Sequence, residues 1–351
     1  MMKTLLDSTQ IGSMALKNRF VSAAVGDFVE AGGHLTKNML KKYETLAKGG
    51  VGTIITGFTL VDETEGSFNI PAMYANSFVD EYKELIDTVH AYEANIILQL
   101  VYIGSYVMGD PGVRPILGPS AVANLNNGIV PQEMSLSEIK DVQNKFAQAA
   151  VRAQKAGFDG IELHAAHGFL LSQFLTPYYN HRSDIYGGSI ENRGRMILET
   201  YSVVREAVGN DYPIWIKINC TDGIERGISL DDFRYICAEL TKLGVNAIEV
   251  SGNWMDRSKD KTAYFKNEAA MISEENKVVV VLTGGNRDYT QMEQLLNSTN
   301  IGYFGMARPF LSEPNLPIHY EKDFSKRTRC VSCNACLNHE NAGSCILNQN
   351  L

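Results

Sequence analysis

Eight short, mostly apolar runs recur along the chain, at Phe20 to Ala24, Val51 to Gly57, Ile96 to Leu100, Gly160 to His164, Ile214 to Asn219, Ala247 to Ser251, Val278 to Leu282 and Tyr303 to Met306. Runs of this kind are the pattern of strands buried on both faces. Between them, apolar positions fall at helical spacing over Lys37 to Lys48, Phe78 to Glu93, Leu136 to Ala156, Ile190 to Val208, Leu230 to Leu243, Asn267 to Asn276 and Tyr289 to Asn297. Gly49-Gly50, Gly157 and Gly244 mark helix ends, and Ser77, Ser135 and Ser229 are placed to cap helix starts, Ser135 with Glu138 as a capping box. Ahead of the first run, Gln10-Ile11-Gly12-Ser13-Met14 puts a turn between two apolar pieces and predicts a small hairpin that plugs one end of the fold. Strand and helix alternating eight times predict an α/β protein, a (β/α)8 TIM barrel with an N-terminal hairpin plug and a short Cys-rich C-terminal extension. A doubly wound sheet is the alternative, weakened because no G-x-G-x-x-G follows the first strand. The barrel is expected over residues 1–320 and the tail over 321–351.

Composition and charge narrow the partners. With 44% hydrophobic residues in 351, a large core is within reach, and no apolar run is long enough to span a membrane. No charged leader followed by an apolar stretch opens the chain, so a cytoplasmic protein is expected. A net charge of -8 argues against nucleic acid, whose phosphates are met by clustered Lys and Arg. A small-molecule substrate is the expectation, and a homo-oligomer is left open.

Six cysteines are unevenly spread. Cys220 and Cys237 sit in apolar runs and read as small buried hydrophobes. Cys330, Cys333, Cys336 and Cys345 form C-x2-C-x2-C-x8-C, a density that favours metal over disulfides in a chain without export signals. Such spacing suits a [4Fe-4S] cluster; structural zinc and an empty remnant are the alternatives.

A barrel carries its chemistry at the C-terminal ends of its strands, and the residues collected there form a set. After the fourth strand stand His164 and His167, which read as metal ligands, as hydrogen-bond donors to one ligand atom, or as satisfied loop histidines. Gln99 lies on the third strand and Lys217 on the fifth. Gly284-Gly285-Asn286-Arg287 follows the seventh strand and Ala307-Arg308-Pro309 the eighth, which together suit a phosphate: glycines expose backbone N–H groups and an Arg adds a fixed cation.

The run from His164 to Leu171, then Phe174-Leu175 and Asn180 to Arg193, resembles the hallmark of the old yellow enzyme family of FMN-dependent ene-reductases. Leu16-Lys17-Asn18-Arg19, Gln99-Leu100 and Met306-Ala307-Arg308-Pro309-Phe310 match it in order, over residues 3 to 320. The tail is similar to that of the 2,4-dienoyl-CoA reductase and trimethylamine dehydrogenase branch, though its cysteine spacing is shorter and further nucleotide-binding domains are absent. By this resemblance FMN lies across the barrel mouth. Its phosphate is held by Gly284, Gly285, Asn286, Ala307 and Arg308, its pyrimidine edge by Gln99, its reduced form by Lys217, and its ring faces backbone at Ala23, Ala24 and Gly57. NAD(P)H is the implied reductant, with a ferredoxin or separate flavoprotein as the alternative donor, and a non-redox barrel for a phosphorylated ligand as the third reading. His164 and His167 would grip the carbonyl oxygen of an enone-type substrate as an oxyanion hole. Phe169 and Phe28 stand where relatives often carry a phenol that protonates the α-carbon, which makes Tyr102 the candidate proton donor by location. Gly26 replaces a Cys or Thr. Arg182, Asp184, Asn192 and Arg193 are expected to tie their own loop to the barrel.

Overall fold

In the computed structural model the described residues are 2–27, 29–65, 69–107, 114–253, 262–323, 325, 327–337 and 344–348. Eight parallel strands close on themselves: β1 (Phe20–Ser22), β2 (Thr53–Ile55), β3 (Asn95–Val101), β4 (Gly160–Ala165), β5 (Ile214–Asn219), β6 (Ala247–Ser251), β7 (Val280–Thr283) and β8 (Tyr303–Met306). Each pairs with its sequence neighbours, and β8 pairs with β1 (Phe304 opposite Phe20), so the sheet has no edge. Helices return the chain on the outside: α1 (Lys37–Lys48), α2 (Lys83–His90), α3 (Leu136–Ala156), α4 (Arg195–Val208), α5 (Leu230–Lys242), α6 (Lys266–Asn276), α7 (Tyr289–Ser298) and α8 (Leu316–Lys322). The (β/α)8 expectation holds, and the doubly wound alternative falls with the closure.

The hairpin also forms, Thr9–Ile11 against Met14–Leu16. It buries Ile11, Met14 and Leu16 against Val21, Ile55, Ile97, Trp215, Ala247, Val281 and Tyr303, a layer contributed by seven barrel strands. The N-terminal end of the barrel is therefore stoppered by apolar packing, and polar groups are left to the other end. Two residues further along the strands, the period of two turns the next inward positions polar: Gln99, Glu162, Lys217, Glu249 and Thr283, with His164 and Ser251 above.

Capping boxes form at Ser135 with Glu138 and at Ser229 with Asp232. Gly157 closes α3 in the left-handed conformation at φ 105. Two expected helices are broken. Phe78 to Glu93 divides at Tyr82, which is fully buried against Phe158, and the cap position falls at Asn76, so Ser77 lies inside the helix. Ile190 to Val208 divides at Gly194, which has no side chain to hold the turn. The loop between β4 and α4 is self-tied as expected. Arg182 bonds Asp184 and the carbonyls of Pro119 and Met134, Arg193 bonds Asp232 and the carbonyls of Leu175 and Gly188, and Asn192 bonds the Gly187 carbonyl. Cys220 and Cys237 are buried, and burial pushes both thiols up.

Candidate active site

At the C-terminal mouth, β4 delivers His164 and the following turn delivers His167, whose φ of 59 lies in the left-handed region. That turn is locked from below, because the His167 amide donates to Asn219 Oδ1 at 3.2 Å. The His167 ring meets the Ser251 hydroxyl through Nε2 at 2.9 Å, and the two imidazoles stand edge to face with centroids 5.1 Å apart. Phe169 packs edge-on against His164 at 4.7 Å. Burial and the nearby Lys217 charge push His167 down to about 3, with Glu249 opposing; burial first, then His167 and Lys217, hold His164 well below the usual histidine range. Both rings are thus neutral at ordinary pH, each with one N–H to donate. Among the described residues, His164 Nδ1 is buried with no hydrogen-bond partner.

Lys217 is buried and bonds Glu249 Oε1 at 2.6 Å. Gln99 donates to Glu162 Oε2 at 2.5 Å. Burial, together with the Glu249 charge, raises the Glu162 carboxyl well above its ordinary value, whereas Glu249, although burial pushes it up, is brought below its ordinary value by the Lys217 cation.

A cavity of about 280 Å³ opens beside His167 and Lys217, and His164 does not border it. His167, Lys217 and Ser251 line one side, the Gly284 to Arg287 turn and the Ala307 to Pro309 turn another, and Ala24 to Gly26 a third. Asn286 clamps the two phosphate-candidate turns together, donating to the Leu282 carbonyl at 2.6 Å and the Gly305 carbonyl at 3.0 Å. Gly284 and Gly285 have φ of 124 and 74, and a Cβ on Gly285 would fall 2.6 Å from the Tyr264 ring, so only glycine fits this cradle. An unpartnered imidazole nitrogen, a buried cation on the cavity wall and a glycine turn facing an arginine fit a flavin mononucleotide: ring-edge donors, a charge for the reduced ring, and N–H groups for the phosphate.

The expected site residues do not all converge. His167, Lys217, Ala24, Gly284, Gly285, Asn286, Ala307 and Arg308 line the cavity. Ala23 instead borders a neighbouring cavity beside Tyr43 and Cys345. The Gly57 amide is taken by Asp27 Oδ2 at 3.1 Å and the Tyr43 hydroxyl at 2.8 Å. Gln99 lies in the barrel interior, bonded to Glu162. Tyr102 is buried near Glu65, and it does not border the cavity. Phe28 lies outside the described residues.

Tyr106 packs its ring on Phe169 at 5.1 Å but, like Tyr102, does not border the cavity; the phenol that does is Tyr264. No local pattern singles Tyr106 out, since its contact depends on how the loop after β3 folds back. Ser251 and Glu249 were also missed; a glutamate inside the apolar run Ile248 to Val250 is a signal that could have found the latter.

In the tail, Cys330, Cys333, Cys336 and Cys345 border one small pocket with Arg308, which bonds Asn334. Among the described residues no group of three or more Cys, His, Asp or Glu side chains that could hold a metal ion is present. The expected iron–sulfur or zinc site is therefore not borne out.

A closed barrel with ring donors, a buried cation and a glycine turn at its mouth suits a flavin. The chain belongs to the NADH:flavin oxidoreductase / NADH oxidase family, whose profile matches residues 4–327. It is 30% identical to a metal reductase of Desulforamulus reducens over 96% of this chain and 52% of that one. It is also 30% identical to an NADPH dehydrogenase of Bacillus velezensis, over 93% of this chain and 96% of the relative. Among solved structures, a 2-naphthoyl-CoA reductase superposes with a TM-score of 0.90 at 24% identity, covering 99% of this chain and 57% of that one, a likeness of fold. The chain thus spans about half the length of some relatives and nearly all of another. The old yellow enzyme resemblance stands; the family match does not reach down to the 2,4-dienoyl-CoA reductase and trimethylamine dehydrogenase branch. Among the described residues, no helix is long and apolar enough to cross a membrane.

Proposed function

We propose that this protein transfers hydride from NADH or NADPH, through FMN held at the barrel mouth, to the β-carbon of an activated, α,β-unsaturated C=C acceptor. The observation that carries this reading is the pair of buried, neutral imidazoles in edge-to-face contact, one with an unpartnered ring nitrogen. Bound FMN supplies hydride exchange with the nicotinamide and then with the alkene. His164 and His167 donate hydrogen bonds to the substrate oxygen as negative charge builds on it, and Ser251 with Asn219 keeps His167 oriented. Lys217 offers the cation that favours the reduced ring, and the Gly284 and Arg308 turns hold the phosphate. The proton for the α-carbon comes from solvent, since neither Tyr102 nor Tyr106 borders the cavity.

Measuring the two half-reactions separately tests this. In His164→Ala the bleaching of bound FMN by NAD(P)H persists, while reoxidation by an enone slows about 10²- to 10³-fold, the usual loss for one preorganised donor. Unchanged reoxidation in His164→Ala and His167→Ala would refute the role of the pair. A second reading, electron delivery from a protein donor through the tail, is favoured by Cys330, Cys336 and Arg308 lining the flavin cavity itself. Stoichiometric iron and sulfide in the purified protein would support it; their absence removes it.

A further inference from the structure

Beneath the cavity, the barrel interior holds two carboxyl groups and one ammonium. Glu162 and Glu249 are 0% exposed and Lys217 is 3% exposed. Gln99 and Thr283 complete the shell, and the neutral His164 and His167 add no charge. Lys217 donates to Glu249 Oε1 and Gln99 to Glu162 Oε2. Glu162 Oε1 and Glu249 Oε2 are left buried without a donor, and each carboxyl is an electrostatic neighbour of the other. Were both ionised, the site would carry one uncompensated negative charge in a volume sealed from water, which is strongly unfavourable. A single proton held by the two carboxyls gives their orphan atoms a donor and brings the net charge to zero. Glu249, which accepts from Lys217, is the ionised member and Glu162 the protonated one.

We infer that Glu162 and Glu249 share one proton and form a charge-neutral unit with Lys217, a positioning pair that fixes the ammonium at the cavity wall. The flavin reading enters only as the identity of what that ammonium faces. With one carboxylate as counter-ion and the other neutralised, the cation stays available to a ring that gains negative charge; loss of the shared proton would cancel it.

Infrared spectroscopy of the FMN-free protein tests the pair without depending on the flavin. The measurement is made at about pH 8, above the range near 7 where Glu65 titrates. A protonated-carboxyl C=O band, shifted in D2O, is expected in the wild type and lost in both Glu162→Gln and Glu249→Gln, since in the latter Glu162 becomes the ionised partner of Lys217. No band in the wild type, or a band that survives both substitutions, overturns the inference. A second readout uses the FMN-loaded protein: the flavin reduction potential of Glu162→Gln matches the wild type, and that of Lys217→Met falls. A drop in Glu162→Gln as large as in Lys217→Met also overturns it. Failure to bind FMN would count against the proposed function and leave the infrared result to decide the pair.

Discussion

His167 shows how one position can serve both function and stability. Its backbone sits in the left-handed region and its ring is held neutral, with protonation pushed down to about 3 by burial first and by the Lys217 charge second. In the unfolded chain the same ring titrates near the usual value of about 6.5. Between those two values the unfolded state binds the proton and the folded state does not, so stability is fully present above about 6.5 and is lost as pH falls toward 3. Denaturant titrations across this window should therefore show a shallower pH slope in His167→Asn than in the wild type; equal slopes would contradict a buried neutral ring. The histidine pair was legible as two ring donors at one strand end. Lys217 was legible as a cation, but its bond to Glu249 was not, because that contact depends on the β5–β6 register, in which Lys217 lies opposite Glu249.

At the scale of elements, local signals fared well where a single rule decides and poorly where packing does. Ser135 caps α3 through a complete box, and Ser135→Ala should cost about 1 kcal/mol of unfolding free energy, read by denaturant melts with activity retained. The break at Tyr82 has no such local signal, since it follows from burying that ring against Phe158. The loop after β3, which carries Tyr106, is pinned by Glu65, whose carboxylate accepts from the Ile103 amide at 2.5 Å and the Gly104 amide at 3.1 Å. Burial raises this carboxyl to about 7 in spite of those bonds and of Arg114. Here the folded state holds the proton longer than the unfolded one, so the contribution to stability is full below about 4.5 and is lost as pH rises through 7. Glu65→Gln should remove this alkaline loss while His167→Asn leaves it in place, and denaturant titrations of the two variants check that separation.

Across the whole molecule, the hairpin and the cavity are two ends of one arrangement. The plug fills the N-terminal end with apolar side chains, and the polar inward positions lie above it, toward the mouth where His167, the cation and the glycine turn line one cavity. The eight-fold alternation was legible because each strand is a mostly apolar run, whereas the cysteine spacing suggests a metal shell that is not seen among the described residues. The central claim is that the mouth holds a redox-active FMN served by two imidazoles. An anaerobic visible spectrum of the purified, FMN-reconstituted protein tests it most directly, recorded before and after NADH or NADPH and again after an enone. The account predicts stoichiometric yellow flavin that bleaches with a nicotinamide and regains its colour with the enone; protein that takes up no FMN, or bound flavin that neither nucleotide bleaches, would contradict it.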